Sequence, residues 1–201
     1  MGSEVHAKIE WTFKEELDPT RERWKDRPNE PPKLTSKQAE RSFERWLEWR
    51  AQVKLKVIDI EKRVYSSLFG FGGTLDLLAE ITVPSEASAD LQNPFLVTRL
   101  AVMDYKTGKA VYAESYLQNV AYRLALKEEG IATQAGWIIR LPKYEEDPVF
   151  DAVRVPDDED LAVTFLALGI VYRWFEKSHK PKGKPTSPSP HNVVAPKVEE
   201  G

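Results

Sequence analysis

The spacing of apolar residues changes along the chain, and each change marks a different element. In residues 3–17, Val5, Ile9, Trp11, Phe13 and Leu17 recur at loosely helical spacing with no proline before Pro19, which predicts a helix. TRERWKDRPNEPPK (20–33) is charged and proline-rich and reads as a loop. Thr35 and Gln38 then form a capping-box signal for a second helix whose stripe is Ala39, Phe43, Trp46 and Leu47. At KLKVIDIEKRVYS (54–66) the period drops to two, and after a glycine cluster it resumes in FGFGGTLDLLAEITV (69–83), the pattern of a β-hairpin.

The polar loop PSEASADLQNP (84–94) leads to FLVTRLAV (95–102), a near-continuous apolar run of the kind found in a buried strand. A third helix is expected over 113–130, with Leu117, Ala121, Leu124 and Ala125 apolar and Gly130 as its stop. A buried strand follows at 134–141 and an edge strand at 150–155. Residues 157–177 read as a last helix with acids at its start and a lysine at its end. The expectation is an α/β fold in which the first three strands form an antiparallel meander. The 134–141 strand then joins parallel to the third by a crossover through the helix.

Composition narrows the chemistry. A chain of 201 residues with 41% hydrophobic content can bury one sizeable core, here assigned to 1–177, and the Pro-, Ser- and Lys-rich segment 178–201 reads as a disordered tail. A net charge of −3 gives no global basic field, so nucleic-acid binding would have to rest on a local surface. Without cysteine there are no disulfides, thiolate metal sites, iron–sulfur clusters or cysteine nucleophiles, and any metal must use oxygen or histidine ligands. No apolar run reaches the roughly 18–20 residues of a membrane span. The start MGSEVHAK is not a signal peptide, so a cytoplasmic protein with no membrane partner is expected.

Two charges close the third strand: in VMDYKTGK (102–109) Asp104 and Lys106 project to one side and Met103 and Tyr105 to the other. GGTLDLL (72–78) supplies Asp76 on the preceding strand. Neighbouring strands lie roughly 4.8 Å apart, so the two carboxylates can share one divalent ion if the register sets them opposite. Such an ion polarises a phosphoryl oxygen and activates water, and Lys106 orients that water and balances charge, which points to phosphodiester hydrolysis.

In order, GTLD (73–76), DYKTG (104–108) and the Gln118-to-Tyr122 spacing on a helix resemble the PD-(D/E)xK nuclease superfamily, in its RecB-like exonuclease branch. GSEVHAKIE (2–10) resembles that branch's first helix. The resemblance covers roughly residues 2–141 and implies a restriction-endonuclease-like core, a central mixed β-sheet flanked by helices. It implies Asp76, Asp104 and Lys106 as catalytic residues, and His6, Asp76, Asp104 and the Tyr105 carbonyl as ligands of Mg²⁺ or Mn²⁺. Gln118 and Tyr122, one helical turn apart, are then the contacts to a nucleic-acid backbone or a stacked base. The implied function is a divalent-metal-dependent deoxyribonuclease acting on DNA in repair, recombination or phage DNA processing, alone or with other such proteins. Exonuclease is the leading form, and the residues leave endonuclease open, along with polarity and strand preference. Without cysteine the iron–sulfur subtype is excluded.

The alternative is a non-catalytic DNA-binding or assembly module that keeps the nuclease fold. A sugar-phosphate or nucleotide-binding protein is disfavoured because the glycines at 70–73 lead into a strand, not a helix. Alternation over 54–66 puts Asp59, Glu61 and Arg63 on one face, where Glu61 reads equally as a site carboxylate or as part of a solvated strand. Glu10 reads as a supporting residue.

Overall fold

A computed structural model of the chain describes residues 2–85, 87, 88, 92, 94–142, 146, 147, 150–157 and 159–179. Helix α1 (Gly2–Leu17) buries Val5, Ile9 and Phe13, one residue per turn along a single face. Helix α2 (Lys37–Gln52) follows the charged loop and buries Ala39, Ser42 and Trp46. Its cap is Ser36, whose hydroxyl accepts from the Ala39 N–H at 3.2 Å, and not the Thr35 of the expected capping box. Thr35 is drawn away by Glu4 of α1, which takes both its backbone N–H (3.0 Å) and its hydroxyl (2.8 Å).

Strands β1 (Lys54–Ser66), β2 (Phe71–Pro84) and β3 (Leu96–Thr107) form the expected antiparallel meander. Helix α3 (Ala113–Glu128) then crosses to β4 (Ala135–Leu141), which is parallel to β3, and β5 (Asp151–Arg154) adds an antiparallel edge. The result is a mixed five-stranded sheet in the order β1-β2-β3-β4-β5, flanked by helices. On one face α1 and α2 press Phe13 and Trp46 against Leu77, Met103, Tyr105 and Leu141. On the other, Tyr122, Ala125 and Leu126 of α3 meet Val64, Leu75, Leu78 and Val102.

Helix α4 (Glu159–His179) matches the last expected helix, and the expected tail lies outside the described residues from position 180 onward. The chain divides into two compact units, Met1–Leu166 and Ala167–Gly201, and the whole sheet belongs to the first. No helix among the described residues is long and apolar enough to cross a membrane.

Candidate active site

The site lies where a ladder ends. β2 and β3 pair from Pro84↔Leu96 as far as Leu77↔Met103, and pairing stops one step before Asp76 would face Asp104. On its other edge β3 stays bonded to β4 as far as Thr107↔Leu141, so β2 parts from a strand that is itself held in place. The Tyr105 N–H, left without a ladder carbonyl, donates to Asp76 Oδ2 at 2.7 Å. One carboxylate thus closes the gap in the sheet beside the other.

On the far side of β2, β1 is distorted at the same level. Glu61 has φ 49°, a left-handed conformation that strains a non-glycine residue by about 1–3 kcal/mol, and it sits between the pairs Ile60↔Leu77 and Lys62↔Leu75. Ile60 and Leu77 pack with α1 and α2, whereas Val64 and Leu75 pack with α3. Strand alternation therefore slips at Glu61 and Asp76, and slips again at the irregularity between Val57 and Asp59. Of the expected row of Asp59, Glu61 and Arg63, Asp59 pairs with Arg23 (2.6 Å) and Glu61 lines a very small cavity with His6, Glu10 and Asp76.

Lys106 is held from two sides. Its Nζ lies 2.5 Å from Asp104 Oδ2 and donates to Gln118 Oε1 at 2.7 Å, while Gln118 Nε2 donates to the Tyr122 hydroxyl at 2.7 Å. This line of contacts explains Gly73, since a Cβ there would sit 2.6 Å from Tyr122 Cε1. Of the two expected nucleic-acid contacts, Gln118 is half-buried and lines a cleft with Lys106, and Tyr122 is buried behind it. Asn119, which the sequence reading passed over, is fully buried and donates to the carbonyls of Val102 (3.1 Å) and Trp137 (3.4 Å), fixing α3 to β3 and β4. Gly136 leaves the space its side chain occupies. Arg140 was also passed over; it is 3% exposed and bonds Asp151 (2.7 Å), Asp147 (2.5 Å) and the Gly108 carbonyl (3.2 Å), bracing the turn after Lys106.

Burial sets the electrostatics. It raises Asp104 to about 6, helped by the neighbouring Asp76 charge and opposed by Lys106. Burial also raises Asp76, against the Tyr105 hydrogen bond that favours its charged form. Glu61 is pushed up to about 7 by burial and by Asp76 and Glu10. His6 is lowered by burial, so it is neutral near pH 7; its ring hydrogen-bonds the Tyr105 backbone and lies edge-on to the Tyr105 ring, 6.2 Å between centroids. His6 also lines a cleft of about 440 Å³ with Lys106, Thr107, Tyr112 and Gln118. Glu10 pairs with Lys14 on the rim.

The donor set suits a hard cation. Among the described residues no three His, Asp or Glu side chains stand together as ready-made ligands, so the carboxylates come as a pair. A pair fits Mg²⁺ or Mn²⁺, which bind through one or two carboxylates and keep water or substrate oxygen elsewhere. Asp104 Oδ2 is buried and lies 2.5 Å from the Lys106 ammonium, with which such an ion would have to share it.

No protein-family model matches the chain, and no curated protein resembles it in sequence. Among solved structures it is similar to a candidate exonuclease from Eubacterium rectale, with a TM-score of 0.53 at 14% identity over 99% of this chain and 77% of that one. At that identity the two chains share a fold.

Proposed function

We propose that the protein is a divalent-metal-dependent deoxyribonuclease of the RecB-like PD-(D/E)xK type, with exonuclease the leading form. The observation that supports this reading is the end of β2–β3 pairing just before Asp76 and Asp104, beside which Lys106 pairs with Asp104 and Asp76 accepts from the Tyr105 N–H. The exonuclease description of a protein of like fold supports it.

Asp76 and Asp104 would hold Mg²⁺ or Mn²⁺. A bound ion of this kind supplies Lewis acidity, lowering the pKa of water and polarising a phosphoryl oxygen. Lys106, fixed by Gln118, presents its ammonium where negative charge gathers on the scissile phosphate. His6, which lines a cleft with Lys106, would accept a proton or complete the ion's shell. Tyr105 contributes its N–H to Asp76, and its backbone is also engaged by His6, so a Tyr105 carbonyl ligand competes with the histidine.

The second reading, a module that binds nucleic acid without cutting it, is favoured by the existing pairing of Asp104 with Lys106. Linear, circular, single-stranded and duplex DNA, each end-labelled and incubated with Mg²⁺, Mn²⁺ or EDTA, decides between them. Metal-dependent cleavage is expected on linear DNA. Binding with no cleavage of any substrate gives the second reading its place.

A further inference from the structure

The loop joining α1 to α2 carries Arg21, Arg23, Lys25 and Arg27 around Trp24, and it is built, not loose. The Asp18 carboxylate accepts from the backbone N–H groups of Glu22 (3.1 Å), Arg23 (2.8 Å) and Trp24 (3.1 Å). The Trp11 indole of α1 donates to the Pro28 carbonyl at 2.9 Å. Between this loop and α1 lies a groove of about 610 Å³, walled by Trp11, Lys14, Arg23, Trp24, Lys25 and Arg27. Glu10 lines both the groove and the small cavity that holds Asp76 and Glu61, so the groove adjoins the candidate site.

Within it, Arg27 is anomalous. Its side chain is 2% exposed and its Nη2 lies 2.6 Å from Glu15, yet Nε and Nη1 meet no acceptor among the described residues. A buried guanidinium with open donors is costly, and the partner that suits its planar fork is a bidentate oxyanion such as phosphate. Rings lie alongside: the Arg27 guanidinium is 5.5 Å from the Trp11 ring, and Arg23 is 4.4 Å from that of Trp24. A nucleobase laid on the Arg23 plane extends that stack. Glu22 and Asp26 share the wall, so charge alone is too weak a lure and the ligand must gain from stacking.

We propose that this groove binds a single strand of nucleic acid on its way to the cleft, with bases against the Trp24–Arg23 stack and Trp11 and a backbone phosphate on Arg27. The assignment rests on the nuclease reading for its reason that a strand should run there. Bases in a duplex are already stacked on one another, so the groove selects an unpaired end or strand.

The test is binding of fluorescein-labelled oligothymidine to the full chain in EDTA, where cleavage plays no part. Trp24→Ala is expected to raise Kd on the order of 10-fold. Lys25→Glu, on an exposed side chain that does not threaten folding, is expected to raise it several-fold. Thermal melts check that Trp24→Ala is folded. The matched duplex is expected to bind more weakly than the single strand, and its binding to be insensitive to Trp24→Ala. Equal oligothymidine affinity in wild type and both folded variants overturns the groove, as does no binding by the wild type; cleavage with Mg²⁺ in those cases leaves the nuclease reading standing. Loss of binding in the variants alongside no metal-dependent cleavage keeps the groove and removes the nuclease.

Discussion

The two faces of the sheet are buried by different means. Toward α1 and α2 the contacts are apolar and aromatic: Trp46 sets its ring edge-on to Phe13 and stacked with Phe43, each 5.3 Å between centroids, over Met103 and Tyr105. Toward α3 the same strand presents Asp104 and Lys106, and the helix answers with buried Asn119 and Ser115 and with the Gln118–Tyr122 pair. Consecutive residues of β3 thus enter unlike environments. Apolar swaps that conserve volume are expected to cost little on the first face, whereas on the second each donor needs its acceptor. The strained backbone of Glu61 and the buried Asp104 carboxylate both persist because the surrounding core holds them.

The largest expected effect breaks the apolar face. Trp46 is 1% exposed, and Trp46→Ala leaves a cavity that costs about 3–5 kcal/mol, a large part of the roughly 5–15 kcal/mol holding a domain together. Urea unfolding of the variant reads this directly. Next comes the polar face: on the nuclease reading Lys106→Ala is expected to lower cleavage about 10²–10³-fold, with the urea midpoint lowered only by the loss of Asp104's cation partner. Lys106→Arg should not restore the rate, since a planar guanidinium cannot take the ammonium's place between Asp104 and Gln118. A Lys106→Ala enzyme that cuts at the wild-type rate sinks the catalytic reading.

The two faces were also unequally legible. Helical periodicity in α1 and the crossover between β3 and β4 were plain from apolar spacing, since burial of one face imposes the pattern. The slip at Glu61 was not, because glutamate is an ordinary strand-surface residue and its left-handed backbone is imposed by tertiary contacts. Ser36 displaced Thr35 as the cap for a like reason, a carboxylate more than thirty positions away in sequence. The candidate residues could be named from motifs, but the link from Tyr122 through Gln118 to Lys106 depends on what lies across the helix, which spacing alone does not specify.

A smaller effect follows from the raised carboxyls. Because folding holds the protons of Asp104 and Glu61 more tightly than the unfolded chain does, their contribution to stability is present at low pH. It is lost as pH rises from about 4 through about 6 and about 7. Below that window both states are protonated and the penalty vanishes. The metal-free protein should therefore melt lower at pH 8 than these groups alone allow at pH 5, and Asp104→Asn should flatten the fall. Thermal melts of wild type and variant across pH 4–8 in EDTA measure it. Added Mn²⁺ should raise Tm at pH 8 and have little effect at pH 4. A variant whose pH dependence matches wild type would show that Asp104 is not the strained acid.

The smallest change sharpens the division between holding the lysine and holding the substrate. Tyr122→Phe keeps the ring that Gly73 accommodates and removes only the hydroxyl that accepts from Gln118 Nε2. That bond fixes which end of the Gln118 amide meets Lys106: with it, Oε1 faces the ammonium, and without it the amide can turn and set N–H groups against a cation. A hydrogen bond of this kind is worth about 0.5–1.5 kcal/mol, or roughly 2–10-fold in rate. If Tyr122 acts through Lys106, the loss falls on kcat, and in a Lys106→Ala background the second substitution does nothing more, as expected for residues that act as a unit. If Tyr122 instead touches the nucleic acid, KM rises and the two substitutions add. Steady-state cleavage by the single and double variants separates the cases. An additive pair would return Gln118 and Tyr122 to the substrate surface and leave the lysine held by Asp104 alone.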